Sequence, residues 1–297
     1  MKTRVIVNPN AGSVGEIETL RETLKKLPGT DVRFTQKEGD ARRLARDAVR
    51  KGTELVVAAG GDGTLNEVVN GLAVDFSRAR LGLLPLGTGN DFARSINVPA
   101  DLEGALAVLA EGRTRTVDVA RARIGRKLRH FINMAAGGFS GHVSEKADEV
   151  KDRWGPLAYL RAALGTLPKL TGFNARIKLD DSERLKVETY NIVVSNGRYV
   201  AAGIPVAPHS KLDDGLLDLM IVPTASIPKL AMLVPQVLLG RHTESDLLLF
   251  HRAKRIAIKS EPPMSFNVDG ELIGDRPAIF EALPRAVEVV VGAEEKG

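Results

Sequence analysis

The chain has 297 residues, of which 43% are hydrophobic, 27% charged and 4% aromatic, and its formal net charge is +5. Most domains contain about 100–150 residues, so this length predicts two domains, and the composition excludes a disordered chain or a coiled-coil rod. Cysteine is absent, which excludes disulfides, thiolate zinc sites and cysteine nucleophiles and indicates a reducing cytosol.

Short apolar runs alternate with helical patterns in the first 120 residues. This βαβα order predicts a Rossmann-like parallel sheet with helices on both faces. The predicted strands are Arg4–Val7, Val32–Thr35, Leu55–Ala58 and Leu81–Leu84, and the predicted helices are Glu16–Lys26, Asp40–Lys51, Asn66–Leu72 and Leu102–Glu111.

From about Thr116 onward, strand patterns follow one another, which predicts an antiparallel second domain, a β-sandwich. Helical insertions are predicted at Ser144–Leu170 and Ile227–Gly240. The domains are therefore expected at 1–120 and 121–297, with the extreme C-terminus a candidate to pack back on the first. The predicted strands are Val117–Ile124, Phe131–Met134, Ala175–Leu179, Val187–Val194, Leu216–Val222, Arg255–Ile258, Met264–Val268 and Val287–Val291.

The positive charge is concentrated in residues 121–170, which contain ten Lys and Arg against four Asp and Glu. Such an excess suits an acidic partner, either a phosphate-bearing substrate or an anionic lipid surface, and solvated surface charge is the alternative. Few aromatic residues are available there to stack on bases, so we expect no nucleic-acid partner. The opening MKTRVIVNPN has no apolar segment of the signal-peptide kind.

Three strands of the first half run into glycine-rich turns, at Val5–Ser13, Glu54–Leu72 and Leu81–Ala93. Turns that follow parallel strands lie at one edge of the sheet, where their backbone amides can bind phosphate. No GxxxxGK[ST] motif is present, so a P-loop is excluded. The run Gly87–Ala93 matches GxGxxA but follows the fourth strand and lacks the later acidic residue, which argues against a dinucleotide-dependent oxidoreductase.

Acidic residues stand inside these turns: Asp62 lies between two glycines and Asp91 follows Asn90. A carboxylate beside a phosphate is repulsive unless a divalent cation bridges them, so the pattern predicts a Mg²⁺–nucleotide site that includes Asp62. The alternative is that Asp62 is a helix N-cap.

Two Asp-Gly dipeptides stand between strand-like runs in the second half, at Asp214 and Asp269. Asp-Gly is a preferred hairpin turn, which explains both positions without chemistry. Glu271 is a second carboxylate two residues after Asp269, and such a pair favours a bound cation or a role in proton transfer.

Several motifs together resemble the diacylglycerol kinase catalytic-domain family, and within it the bacterial YegS-type lipid kinases. The resemblance depends most on the pair Gly60–Val68 (GGDGTLNEV) and Pro85–Ser95 (PLGTGNDFARS), because GGDGT alone also occurs in NAD kinases. The supporting motifs follow in the family's order: Asn8–Gly12, Lys37–Arg43, Ile132–Phe139, Lys211–Leu219 and Phe266–Glu271.

The resemblance implies a nucleotide-binding domain, a β-sandwich domain and an active site in the cleft between them. It implies Glu271 as the proton acceptor, with Asp269 and Asp62 as further catalytic carboxylates. It also implies a second metal site, with a structural role, at Asp214 and the backbone carbonyls of Lys211 and Leu216. The implied ATP contacts are Thr35, Gly60, Gly61, Asp62, Gly63, Thr64, Leu65, Asn66 and Thr88.

The function expected from these observations is transfer of the γ-phosphoryl group of ATP to a hydroxyl of a lipid, such as diacylglycerol or phosphatidylglycerol. Mg²⁺ is the expected cofactor, or another divalent cation such as Ca²⁺. A lipid acceptor implies a cytoplasmic protein that contacts the inner membrane face transiently, through the basic stretch and the apolar segment Gly155–Leu170. The alternatives are an NAD kinase or other small-molecule kinase, and a non-catalytic sensor of lipid or nucleotide.

Overall fold

The structure is a computed structural model that describes residues 2–11, 14–25, 29–139, 165, 170–181 and 183–293. Among the described residues, no helix combines the length and the apolar character needed to cross a bilayer. The described strands form one hydrogen-bonded network that changes from parallel to antiparallel pairing along its length.

A parallel four-stranded sheet in the order β2-β1-β3-β4 forms the N-terminal part. Helices cover both of its faces, so the apolar run of β3 is buried at every residue. Its strands are β1 (Thr3–Val7), β2 (Thr30–Phe34), β3 (Leu55–Gly60) and β4 (Arg80–Pro85), and its helices are α1 (Val14–Lys25), α2 (Asp40–Arg50), α3 (Asp62–Leu72), α4 (Asp91–Ser95) and α5 (Leu102–Glu111).

Among the described residues that follow, an antiparallel sheet surrounds a second hydrophobic core. One further helix, α6 (Ile227–Leu238), packs beside it over a small apolar cluster. The strands are β5 (Thr114–Ile124), β6 (Lys127–Phe131), β7 (Met134–Gly138), β8 (Phe173–Leu179), β9 (Glu183–Ser195), β10 (Leu217–Pro223), β11 (Leu249–Ala253), β12 (Arg255–Glu261), β13 (Phe266–Val268), β14 (Glu271–Gly274) and β15 (Ala278–Val290).

Strand β15 belongs to both sheets. It pairs with β5 and β12 on the antiparallel side, and Val289 pairs in parallel with Leu81 of β4. Three of its valines, Val287, Val289 and Val290, are buried in the core of the parallel sheet. The two cores are therefore joined by continuous backbone pairing.

The predicted fold class is confirmed, and three local predictions are corrected. The predicted strand Phe131–Met134 is two strands, because the backbone amides of residues 132–134 bond to a side chain from β13–β14 instead of to a neighbouring strand. Helix α3 begins at Asp62, four residues before the predicted start. Strands β11 and β14 were not predicted. The predicted insertion Ser144–Leu170 lies, apart from residues 165 and 170, outside the described residues.

Candidate active site

The turns that follow β1, β3 and β4 meet at the carboxyl edge of the parallel sheet. Hydrogen bonds join them: the Leu86 N–H donates to the Gly60 carbonyl at 3.1 Å, and the Asn8 side-chain amide donates to the Thr64 hydroxyl at 3.2 Å. A Cβ added to Gly87 would lie 2.5 Å from the Gly61 Cα, so the two motif glycines touch back to back. Glycine is required here because these two loops approach each other more closely than any side chain allows.

Two carboxylates lie side by side within these loops. Asp62 accepts the backbone N–H of Asp91 at 2.9 Å, at the start of α4. The N-cap of α3 is Gly61, so Asp62 does not cap its own helix, as the alternative interpretation required. Burial, and after it the charge of Asp62, raise the pKa of the Asp91 carboxyl to about 6. Burial also raises the pKa of Asp62. Two buried carboxylates this close together favour a bound cation.

The Asp91 carboxylate also reaches across to the antiparallel part of the molecule. It accepts the N–H of Gly203 at 2.7 Å and that of Ala202 at 3.4 Å. Ala201, Ala202 and Gly203 all have positive φ, at 53°, 68° and 103°. Alanine in this region costs about 1–2 kcal/mol per residue, so the Asp91 bonds help to maintain a strained segment at the edge of the site.

Asp269 and Gly270 form the turn between β13 and β14, both with positive φ. The side chain of Asp269 nevertheless does more than form a turn, because it accepts N–H groups from Ile132, Asn133 and Met134 at 2.9–3.2 Å. The Asn66 amide of α3 donates to it at 3.2 Å. Burial raises the pKa of Asp269 to about 6 in spite of these donors. The carboxylate therefore joins the turn to the strand break at 132–134 and to α3.

Glu271 begins β14, and its side chain is 43% exposed. Both of its oxygens accept hydrogen bonds from Arg129 at 2.8 Å. This ion pair lowers the pKa of Glu271 below its usual value, so the group is ionised at neutral pH.

A cavity of about 1140 Å³ joins these groups. It is lined by the glycine loops, by the turn Asp269–Glu271, and by apolar side chains of β9, β10 and α6, which we call the apolar chamber. Val193, Met220, Val222, Leu230, Leu233 and Val237 are chamber residues. The predicted site residues that line the cavity are Thr35, Gly61, Asp62, Gly63, Thr64, Asn66, Thr88, Asp269 and Glu271.

Two predicted ATP contacts, Gly60 and Leu65, are not among the residues that line the cavity. Leu65 is 4% exposed, and Gly60 packs on the Thr64 side chain. Asn66 lines the cavity, but its amide nitrogen donates to Asp269 and to the His130 carbonyl. The side chain of Asn66 thus connects two parts of the protein, and the role of these residues toward ATP stays a prediction.

The predicted second metal site lies away from the cavity, at the turn before β10. The Asp214 carboxylate is paired with Arg252 and accepts the N–H of Leu216 at 3.0 Å. Arg252 also contacts Asp218 at 3.1 Å. In the part of the chain that the structure describes, no group of three or more His, Asp or Glu side chains forms a metal site. The Arg252 guanidinium pairs with the Asp214 carboxylate, which a metal site made of Lys211, Asp214 and Leu216 needs as a ligand. These residues therefore do not fit a metal in this arrangement.

We expect Mg²⁺, compared with EDTA, to change the melting temperatures of the nucleotide-free wild type and of Asp214→Ala by the same amount. The reason is that the cation at this turn is Arg252, and any Mg²⁺ bound by Asp62 and Asp91 is common to both proteins. Asp214→Ala should lower the melting temperature slightly in both solutions, since it removes a partly buried carboxylate that pairs with Arg252 and accepts the N–H of Leu216. Thermal melts of both proteins in both solutions measure this. A Mg²⁺-dependent rise that Asp214→Ala abolishes would instead establish a metal at Asp214.

Three groups at the site were not found from the sequence. Arg129 had no distinguishing motif, and its contact with Glu271 depends on how two edge strands lie against each other. The segment 201–203 has alanines with positive φ, a conformation that alanine disfavours, so local residue propensity does not predict this backbone. Asn133 lines the cavity with a buried side-chain oxygen that has no hydrogen-bond partner among the described residues.

Comparison with known proteins gives consistent results. Residues 2–122 match the family model of the diacylglycerol kinase catalytic domain, and residues 133–291 match that of the YegS C-terminal NAD kinase beta sandwich-like domain. A diacylglycerol kinase of Staphylococcus epidermidis is 36% identical over 97% of this chain and 91% of that protein. The one from Staphylococcus haemolyticus is 36% identical over 96% of this chain and 87% of its own length. A solved structure of a diacylglycerol kinase from Bacillus anthracis str. Sterne superimposes with a TM-score of 0.81 at 27% identity, covering 98% of this chain and 97% of that one.

Proposed function

This chain belongs to the diacylglycerol kinase family, and from that premise we propose that it transfers the γ-phosphoryl group of ATP to a hydroxyl group of a glycerolipid. The observation that supports this proposal most is that one cavity is lined by the glycine loops, by Glu271 and by the apolar chamber. A kinase of this kind needs those three features: phosphate binding, proton acceptance and a site for an acyl chain.

ATP binds, in this proposal, with its phosphates against the glycine loops. The backbone amides there and the N-terminus of α3 supply donors without side chains in the way. Asp62 and Asp91 are the residues that would bind a magnesium ion; burial raises the pKa of both carboxyls, and the charge of Asp62 also raises that of Asp91. Magnesium supplies neutralisation of phosphate charge during the transfer.

The apolar chamber favours a lipid over a polar acceptor. Val193, Met220 and Leu233 belong to the apolar cluster that borders it. A dinucleotide would place polar groups against these side chains, whereas an acyl chain gains about 0.8 kcal/mol for each buried methylene. A lipid substrate also requires transient contact with a membrane surface. The segment Gly155–Leu170, predicted for that contact, lies outside the described residues except at 165 and 170.

The reaction is an in-line displacement. The lipid hydroxyl oxygen attacks the γ-phosphorus, the bond from that phosphorus to the β–γ bridging oxygen breaks, and ADP leaves with the bonding electron pair. Glu271 accepts the hydroxyl proton and later releases it to solvent. Asp269 is less suited to this step because four N–H donors already bond to its carboxylate. Transfer of the proton late in the reaction fits a carboxylate with a low pKa.

Phosphorylation of lipid is tested with γ-labelled ATP, Mg²⁺ and mixed micelles of diacylglycerol or phosphatidylglycerol, with NAD in a parallel reaction. We expect label in the lipid. Label in NAD would favour the small-molecule kinase, and ATP binding without transfer to any acceptor would favour a sensor. The lipid that gives the highest kcat/KM defines the acceptor class.

Val222→Phe should raise the KM for a long-chain diacylglycerol about 10-fold, because the half-buried Val222 lines the chamber and a phenyl ring there takes acyl-chain space. The ATP dissociation constant should not change, and an acyl chain two to four carbons shorter should recover part of the loss. Val74→Phe is the matched control, since Val74 is 51% exposed and does not line the cavity. Equal KM values for the two variants would contradict acyl binding in the chamber.

A further inference from the structure

The ion pair between Arg129 and Glu271 has the geometry of a two-point fork. Nε of Arg129 lies 2.8 Å from Oε2 of Glu271, and Nη2 lies 2.8 Å from Oε1. The two side chains are 24% and 43% exposed, so the contact is partly shielded from water. A bidentate pair of this kind fixes the direction of the carboxylate as well as its charge.

The strand that carries Arg129 is itself bound to the helix that begins in the glycine loops. Asn70 of α3 accepts the N–H of His130 at 2.9 Å and donates to the His130 carbonyl at 2.8 Å. Its side chain thus pairs with His130 as a neighbouring strand would. Because Arg129 directly precedes His130, its backbone position is set by α3, whose first residue is Asp62.

The turn that carries Glu271 has a separate connection to the same helix, through Asn66 and Asp269 at 3.2 Å. Two routes therefore lead from α3 to Glu271, one through Asn70 and Arg129 and the other through Asn66 and Asp269. The route through Asn66 and Asp269 ends at the backbone of the turn, whereas the route through Asn70 and Arg129 ends at the Glu271 carboxylate itself. Glu271 has three rotatable side-chain bonds, so the backbone alone does not determine where its oxygens lie.

We propose that Arg129 is a positioning residue for phosphoryl transfer: its guanidinium fixes the Glu271 carboxylate between the glycine loops and the apolar chamber. This rests on the proposed function, in which Glu271 accepts the proton of the lipid hydroxyl. Arg129 also keeps that carboxylate ionised. Arg42 of α2 and Lys127 of β6 act on Glu271 in the same direction, through space and without the fork.

A structural role for Arg129 is the competing explanation, because the ion pair also joins strands β6 and β14. The two roles predict different measurements. If the ion pair only joins the two strands, its loss lowers the melting temperature and leaves kcat unchanged. Loss of a positioning contact lowers kcat, leaves the KM for ATP unchanged, and moves the pH at which the base becomes protonated.

The test compares Arg129→Gln, Arg129→Lys and the control Arg121→Gln across pH 5–9, with kcat and KM measured on diacylglycerol in mixed micelles. Arg121 is a suitable control because it makes a similar pair with Glu281, at 2.7 Å, and neither residue lines the cavity. We expect Arg129→Gln to lower kcat about 10-fold or more, since small displacements of a reacting group have effects of this size. The acid limb of its kcat–pH profile, where kcat falls as the base becomes protonated, should move to higher pH, because removing the guanidinium raises the pKa of Glu271. Arg129→Lys should restore the acid limb but not kcat, since an ammonium supplies charge without the fork.

A second measurement separates this proposal from the proposed function. In a Glu271→Gln background, adding Arg129→Gln should lower kcat no further, because the two residues act through one carboxylate. Equal loss of kcat in both backgrounds, or an unshifted acid limb in Arg129→Gln, overturns the role of Arg129 while leaving a lipid kinase intact. Failure of the wild-type protein to label any lipid, or full activity of Glu271→Gln alone, would instead remove the proposed function on which the inference rests.

Discussion

Glu271→Gln is expected to lower kcat at least about 100-fold while the ATP dissociation constant stays within about twofold of its wild-type value. Glutamine retains the size of the side chain and one acceptor oxygen for Arg129 but cannot accept the proton. ATP binding should not change because Glu271 lies at the start of β14 and not in the glycine loops, where the phosphates are proposed to bind. Steady-state labelling of diacylglycerol, with nucleotide affinity measured on the same preparation, provides both values.

Asp269→Asn is the informative comparison for Glu271→Gln. The Asp269 carboxylate accepts N–H groups from Ile132 and Met134, one on each oxygen, and an asparagine NH₂ would face one of them. Asp269→Asn should therefore lower the melting temperature, whereas Glu271→Gln should lower it less, because its amide would face Arg129 in a pair that is partly exposed to water. A large loss of kcat in Asp269→Asn with no loss of stability would transfer the proton-accepting role to Asp269. A large rise in the ATP dissociation constant of Glu271→Gln would place Glu271 in the nucleotide site.

Asp62→Asn is expected to lower phosphoryl transfer about 100-fold or more, because it removes one of the two charges that are available to a magnesium ion at the phosphates. The fold should persist, since an asparagine oxygen can still accept the Asp91 N–H at the start of α4. The melting temperature should stay the same or rise, since the substitution removes the repulsion that helps to raise the pKa of Asp91 to about 6. Activity assays across a Mg²⁺ titration, together with thermal melts, measure these effects.

Asp101→Asn is the matched control for Asp62→Asn. Asp101 is the N-cap of α5 and accepts the N–H of Gly104 at 2.8 Å, a role that asparagine performs equally well. It does not line the cavity. If both variants retained activity within a few-fold of the wild type, Asp62 would have no part in the transfer. A defect in Asp62→Asn that high Mg²⁺ relieves would support the metal role.

Local signals predicted the N-terminal part of the fold well. Helix α5 runs over Leu102–Glu111, as predicted, because an Asp N-cap precedes it and Gly112 follows it with φ of +68°. Parallel order predicted that the glycine turns would meet at one edge, and they do. The break at residues 132–133 was not predictable, since the groups that interrupt the strand come from Asp269, more than 130 positions later.

The candidate site also contains residues that the sequence predicted and residues that it did not. The loops and the DGE carboxylates have recognisable motifs, so their meeting in one cavity followed from the family resemblance. Arg129 and the segment 201–203 act through contacts between distant strands, and such contacts leave no local pattern. Asp214 is a different case: the family resemblance implied a metal ligand, and in the structure its carboxylate pairs with a distant arginine, Arg252.

Strand β15 gives the chain a required order of assembly. On the ribosome, all of β1–β4 is synthesised some two hundred residues before Ala278–Val290. Until then the edge of β4 that receives Val289 has unpaired backbone groups, and the positions of Val287, Val289 and Val290 in the first core are empty. The nascent N-terminal part therefore cannot complete its core before the entire antiparallel sheet has been translated. Chains that stop short of residue 278 leave this edge exposed, and they are the forms of the protein most open to aggregation and to chaperone binding.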